Sequence, residues 1–374
     1  AAGKMAAAFE RAWDGPFEGL VVDRHGPLEP CRQTRILHAA HPVPDAAGLH
    51  AAQALMDHVE GLTKDDLVIA LISGGGSALL PAPPQGFQLA DEIALNEALL
   101  ASGAPISAMN VLRKHFSRIK GGRLAARAYP AQVVSLIVSD VPGDHPALVA
   151  SGPTVPDASN AAEAMRLIRD YRIDLPQAVI DAIGREKAPN PSDEIFRRNE
   201  VHVIASARVS LDAAAEKARG MGVEPLILSD CIEGEAKDIG RMHAALVREF
   251  AQNGSFARPL VLLSGGETTV TIGHGKYGKG GRNSECLLSA AMDLQGLAQV
   301  TGLAADTDGI DGSESNAGAF CDGTTADRIR AAGGDARSFL ADHDAWSAFD
   351  LIGDLFVSGP TGTNVNDFRA FLID

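Results

Sequence analysis

Glycine turns behind apolar runs, a cluster of aspartates, and a few Lys and Arg among glycines are what could do chemistry in this chain. Ser73, Gly74, Gly75, Gly76 and Ser77 follow the apolar run DLVIALI (66–72). Glycine lets backbone N–H groups approach an anion closely, and a helix N-terminus behind them adds roughly half a positive charge. The loop reads as a seat for phosphate or carboxylate. LLSGGE (262–267) echoes LISGGG (71–76), so Gly265 and Gly266 are expected to end a second buried strand in a turn facing the same cleft. Two independent strand ends are the plainer reading of the echo.

In TIGHGKYGKGGRNSE (271–285), Gly273, Gly275 and Gly278 match GxGxxG by letter. A dinucleotide fingerprint needs a buried strand feeding straight into a helix, and here the feeder alternates and the helix starts later. The near-match to a P-loop fails where Gly280 replaces the Ser or Thr that would ligate Mg²⁺. The stretch reads instead as a basic hairpin tip carrying Lys276, Lys279 and Arg282. Of these, Arg282 can grip carboxylate or phosphate with two donors at once. Asn283 and Ser284 stand where a helix would be capped, and Asn283 is a good N-cap by type.

DTDGIDGSESNAG (306–318) places Asp306, Asp308 and Asp311 after a strand. Carboxylates there suit a hard cation shared with phosphate, although Asp and Gly also make plain turns. Asp140, at the end of VVSLIVSD, stands where a base or metal ligand is favoured. RKHFSRIKGG (113–122) gathers Arg113, Lys114, Arg118 and Lys120, either as phosphate-binding cations or as an exposed helix face. VSGPTGTNVND (357–367) is a further Gly, Thr and Asn loop after a strand, and His41 in HPVPD reads as a structural turn. GxSxG, HExxH and spaced Cys–His pairs do not occur, so hydrolase and metalloprotease readings have no support.

The elements that must position these residues alternate strand and helix nearly throughout, which predicts α/β architecture with mostly parallel sheets. GLVVD (19–23), DLVIALI and VVSLIVSDV (133–141) read as strands; 46–61, 89–103, 108–128, 160–173 and 176–186 read as helices, with a break at the glycine pair 121–122. The polar stretch KAPNPSDEIFRRNE (187–200) reads as a linker. It separates a Rossmann-like domain, 1–195, from a smaller α/β domain with a mixed sheet, 196–374. TVTIG (269–273) reads as one arm of a hairpin. The opening AAGKMAAAFERAW reads as a turn opening a helix with no strand before it, so a preceding segment is expected.

Composition narrows the partners. The chain has 374 residues, 45% hydrophobic and 22% charged, and a net charge of −15. An acidic surface repels nucleic acid and anionic membranes, while a local nest of N–H groups, Lys and Arg still accepts a small anion. Cys31, Cys231, Cys286 and Cys321 form no CxxC pair and read as reduced cytoplasmic thiols. The chain is expected to lack membrane spans. The sum is a two-domain enzyme suited to phosphoryl transfer, where catalysis is mostly positioning and charge neutralisation.

RKHFSRIKGGRLA, SDVPGDHPALVASGPT, GGRNSE, DTDGIDG and SGPTGTNVND, in this order, resemble the glycerate 2-kinase family. Its members also carry the name hydroxypyruvate reductase of the tartrate-degradation type. The resemblance spans essentially the whole chain, and residues 259–369 resemble its MOFRL domain. It implies ATP- and Mg²⁺-dependent phosphorylation of D-glycerate at the 2-hydroxyl in an interdomain cleft. The protein would act on this small molecule alone or as a homodimer. Lys4 in Gly3-Lys4-Met5 matches the family's lysine in a Gly-Lys-Ala turn, and Arg282 matches its GGRN arginine. Met5 and DGSESNAG depart from the usual pattern. In the mechanism so expected, Arg282 and the Ser73–Ser77 loop bind glycerate carboxylate or phosphates. Lys4 neutralises the transferring group, Asp140 takes the hydroxyl proton, and Asp306 and Asp308 hold Mg²⁺. Lys120, Gly265, Gly266, Lys279 and Asn283 complete the expected contacts. An NAD(P)H-dependent hydroxypyruvate reductase is the alternative, and a non-catalytic sugar-acid binder the third reading.

Overall fold

Apolar, β-branched runs set the sheets of the computed structural model, which describes residues 2–26, 30–254, 256–273 and 277–374. The chain folds as two compact units, residues 1–139 with 145–204, and residues 140–144 with 205–374. The architecture is mixed α/β, with parallel sheets in the first unit and a mixed sheet in the second.

In the first unit β1 (Gly19–Arg24) pairs in parallel with β2 (Thr34–Ala39). β3 (Leu67–Ile72) pairs in parallel with β4 (Gln132–Val138), from Leu67 opposite Gln132 to Ile72 opposite Ile137. A parallel pair needs a long crossover. Helices Leu89–Ala101, Ile106–His115 and Arg123–Ala128 supply it. β5 (Glu200–Ala205), the strand after the polar stretch, is the third strand of this sheet. Leu95, Leu99, Leu112, Phe116, Ile168 and Ile183 form the largest core cluster of this unit. Phe87 meets Phe116 edge to face at 4.9 Å, an arrangement aromatic pairs favour.

The second unit is built on β6 (Glu224–Glu235), β7 (Leu260–Thr269), β8 (Val300–Asp306), β9 (Gly318–Asp322), β10 (Leu355–Phe356) and β11 (Asp367–Ile373). Their order is β10-β9-β8-β11-β7-β6. Only the β6–β7 pair is parallel among them. β11 alternates buried and half-buried positions, so Asp367, Arg369, Phe371 and Ile373 share the buried face. Its register sets Asp367 opposite both Gly266 of β7 and Asp306 of β8. The carboxyl ends of β7 and β8 therefore flank the amino end of β11. Helix Arg282–Asp293 packs on this sheet and buries Leu287, Leu288 and Ala291 against it.

Two local expectations are corrected here. Gly265 and Gly266 do not end a strand in a turn; β7 runs through them to Thr269, and residues 270–273 are not strand. The reason is a register irregularity in β6 between Ser229 and Ile232. It brings the Ile232 carbonyl oxygen to 2.1 Å from where a Cβ on Gly266 would lie, at a φ of 138°. Glycine is needed there for strand contact. The helix after GGRN starts at Arg282 with Gly281 as its N-cap, so Asn283 lies inside its first turn and is not the cap.

Candidate functional site

Arg282 is the hub of the second unit. Its Nε donates to Asp367 Oδ1 at 2.7 Å, Nη1 to Glu267 Oε1 at 3.0 Å and Nη2 to Asp306 Oδ2 at 2.9 Å. The β7–β11–β8 register puts the three carboxylates at one sheet end, and the helix start delivers the guanidinium to them. Burial works against the arginine's charge. Asp367, Asp306 and Glu267 more than reverse this and hold its pKa above the ordinary value. Burial pushes Asp306 up to about 7 against the pull of the Asp308 N–H and of Arg282, and the charges of Asp308 and Asp367 add to the rise.

Each carboxylate is held differently. Asp367 is fully engaged: Oδ1 also accepts from Asn283 Nδ2 at 2.8 Å, and Oδ2 accepts from the Thr268 N–H and hydroxyl, both at 3.0 Å, and from Arg369. Arg369 is completely buried, and its Nε and Nη1 have no partner among the described residues. Asp306 Oδ1 accepts from the Asp308 N–H at 3.1 Å. The Glu267 carboxylate is hydrogen-bonded only by Arg282 among the described residues and is 44% exposed.

Asp140 and Asp311 are linked to the same sheet end and helix start. Asn366 Nδ2 donates to the Asp140 carbonyl at 2.8 Å, so NVND joins SDVPGD to Arg282 through the next residue, Asp367. Burial raises the Asp140 pKa, and the charge of Glu267 adds to it. Asp311 caps the arginine's helix from a distance. It accepts from the Asn283 and Ser284 N–H groups at 2.9 and 2.8 Å and from the Ser284 hydroxyl at 2.6 Å. Four orphan N–H groups open every helix, and Asp311 satisfies two of them here. Lys279 lies over the Trp346 ring at 4.6 Å, with Glu314 at 3.5 Å. Its loop is not a free hairpin tip. Gly278, Lys279 and Trp346 tie it to the 342–346 segment through backbone donors at 2.8, 2.8 and 3.0 Å. Gly275 and Lys276 lie outside the described residues.

The first unit holds the other expected residues. Lys4 is exposed on helix Ala2–Ala12, whose Gly3 N–H is anchored on Asp23 at 2.9 Å. The Ser73–Ser77 loop turns through Gly75 at a φ of 80° into the short helix Gly76–Leu79. Ser77 bonds Ser151 at 2.9 Å, which donates to Asn110 at 3.3 Å. His41 stands beside this loop, its Nε2 3.2 Å from where a Cβ on Gly75 would lie. Burial lowers the His41 pKa and Arg24 lowers it further, which favours the neutral ring. The sequence suggested only a turn for His41.

The basic patch is corrected. Lys120 is 2% exposed and donates to Glu92 at 2.6 Å, while Glu92 accepts the Ala82 N–H at 3.0 Å. Lys114 is buried against Asp157. Arg118 donates to the Pro83 carbonyl at 2.9 Å. Lys114, in the last turn of helix Ile106–His115, and Arg118 and Lys120, in the segment that follows it, tie this stretch to neighbouring elements, because a buried charge must be paired. They form neither an exposed face nor a free phosphate cradle.

A cation was expected on Asp306 and Asp308. Among the described residues no group of three or more His, Cys, Asp and Glu is placed to hold one. Both Asp306 oxygens are used, whereas Asp308 gives Oδ1 to the Ile310 N–H at 2.8 Å and keeps Oδ2 without a hydrogen bond among the described residues. This fits a Mg²⁺ ion shared with phosphates, which needs only one or two carboxylates, and does not form a self-sufficient cage.

Sequence reasoning passed over Glu267, Asp367 and Arg369. The signal was present in DFRAFLI, where two charged residues occupy the inward positions of an alternating strand.

Among the described residues no helix is long and apolar enough to cross a membrane. Residues 1–184 match a family described as a domain of unknown function (DUF4147), and residues 260–367 match the MOFRL family. A protein of Agrobacterium vitis named "Putative hydroxypyruvate reductase" is 48% identical across 100% of this chain and 85% of its own length. The D-glycerate 2-kinase of Thermotoga maritima is 38% identical across 100% of this chain and 88% of its own. A crystal structure of glycerate kinase from Thermotoga maritima superposes with a TM-score of 0.92 at 37% identity, covering 100% of this chain and 89% of that one. The chain belongs to the glycerate kinase family, with its DUF4147 and MOFRL regions both present.

Proposed function

We propose that this protein transfers the γ-phosphoryl group of ATP to the 2-hydroxyl of D-glycerate with Mg²⁺, giving 2-phosphoglycerate and ADP. The observation that carries this reading is Arg282. It is a permanently charged fork held by three carboxylates at one sheet end, one of which, Glu267, adds to the raised pKa of a half-buried Asp140. In this reading Arg282 binds the glycerate carboxylate or phosphoryl oxygens, and Asn283 and Lys279 support that contact. The N–H groups of Ser73–Ser77 receive a second anionic group, and Lys4 neutralises the transferring phosphoryl. The substrate hydroxyl gives its proton to Asp140 as its oxygen bonds the γ-phosphorus and the bond to the bridging oxygen of ADP breaks. A carboxylate of raised pKa is the stronger base. Asp308, with Asp306 beside it, would hold Mg²⁺, which when bound neutralises phosphate charge.

The test incubates purified protein with D-glycerate, ATP and Mg²⁺, follows ADP formation, and identifies the phosphoglycerate isomer by NMR. Hydroxypyruvate with NADH or NADPH is run in parallel. Formation of 2-phosphoglycerate is expected. The 3-isomer would refute the regiochemistry, and NAD(P)H oxidation without phosphorylation would refute the kinase reading.

A further inference from the structure

We infer that Glu267 is an internal anion seated on Arg282 Nη1 that an incoming carboxylate or phosphoryl group displaces, so that it sets the affinity of the anion site. This rests on the assignment of Arg282 to anion binding. Three carboxylates share one guanidinium, and their holdings are unequal. Asp367 accepts from Arg282, Asn283, Thr268 and Arg369, and is fully buried. Asp306 is 8% exposed and is fixed by the Asp308 N–H. Glu267 is 44% exposed, and its carboxylate has no hydrogen bond but that of Arg282 among the described residues.

Chemistry selects the one that leaves. Moving Asp367 strands a buried Arg369, and moving Asp306 breaks a backbone contact. Moving Glu267 breaks one half-exposed ion pair and lets its carboxylate enter water. An anion arriving from solvent therefore exchanges at Nη1, while Nε and Nη2 stay fixed by Asp367 and Asp306. The exchange is between like charges, so the site gains no net negative charge if Glu267 swings out. The same residue screens out neutral competitors, which cannot replace its charge on Arg282.

The experiment titrates wild-type protein, Glu267→Gln and Glu267→Ala with D-glycerate and, separately, with inorganic phosphate, by calorimetry without nucleotide. Removing the competing carboxylate should tighten binding of at least one anion about three- to fivefold, the scale of a half-exposed ion pair. Both variants should do so, since both lose the charge. Unchanged or weaker binding in the variants would overturn the inference even if wild-type kinase activity is intact. Tighter phosphate binding with no D-glycerate binding by any of the three proteins would support the internal anion and refute the glycerate reading. Absence of binding of either anion by all three would overturn the internal anion as well, because no exchangeable seat would exist. A collapse of kcat in Glu267→Gln without tighter binding would overturn it in favour of Glu267 as a proton acceptor.

Discussion

Asp367 accepts from Arg282 Nε at 2.7 Å and from the buried Arg369 through its other oxygen. One carboxylate therefore bridges two guanidinium groups, one inside the sheet face and one at its end. Asp367→Asn keeps the shape and loses the charge. The buried Arg369 is then uncompensated, and breaking such a pair costs about 3–5 kcal/mol. Thermal unfolding should show a large drop, and kinetics on the folded fraction should show a raised KM because Arg282 is no longer pinned. A stability equal to wild type would refute this account of Arg369.

Arg282→Lys tests the fork itself. Lysine carries the charge but reaches one partner where arginine reaches three. We expect kcat/KM for D-glycerate to fall roughly 100-fold, the scale of losing an oriented donor in a catalytic site. Near-normal kinetics in this variant would remove Arg282 from the mechanism.

Lys120→Met separates a structural cation from a ligand-binding one. The change leaves Glu92 buried and unpaired, at a cost of about 3–5 kcal/mol. Adding Glu92→Gln to it should restore part of the loss. KM values for ATP and D-glycerate should stay at wild-type levels in whatever protein folds. A raised KM with unchanged stability would return Lys120 to the phosphate site.

His243 makes stability depend on pH. Its Nδ1–H donates to the Ile239 carbonyl at 2.8 Å, so Nε2 accepts from Ser264 at 2.7 Å. Burial lowers its pKa to about 4, and Arg369 adds to the shift. The unfolded chain binds the proton more readily, so this contribution is complete above pH 6.5 and is lost as pH falls toward 4. The linked loss is on the order of 3 kcal/mol. Urea unfolding midpoints should fall between pH 7 and pH 5, and the fall should be shallower in His243→Gln. Equal slopes in the two proteins would refute the assignment.

Gly75→Ala probes the first glycine loop. Alanine at a φ of 80° is strained, and its methyl would meet His41 at 3.2 Å. The strain costs about 1–2 kcal/mol. We expect a modest loss in unfolding midpoint and a larger rise in the KM for ATP or D-glycerate, since both His41 and the loop must shift. A stability loss with unaltered KM values would confine the loop to a structural role.

Much of the fold was legible in one dimension. Runs such as LVIALI and VVSLIV are almost continuously apolar instead of alternating, as strands of parallel sheets covered on both faces are. Helix starts were readable where a side chain caps locally, as Asn160 and Ser206 do. The helix of Arg282 escaped this logic because Asp311, 27 residues beyond Ser284, supplies its cap.

The α/β class, the succession of most elements, and the motifs that carry Arg282, Asp140, Asp306 and the glycine loop were readable from residue order. These depend on local periodicity and residue type, which survive without a third dimension. Packing settled which charges are free. Lys114 and Lys120 look like solvent cations until their segment is packed, and Glu267 looks incidental until β7 runs past its glycines. The register of β11 between β7 and β8 puts Asp367 beside Asp306, and helix Arg282–Asp293 then delivers the guanidinium. A charge is used according to its neighbours and its distance from water, and both are properties of the packed chain.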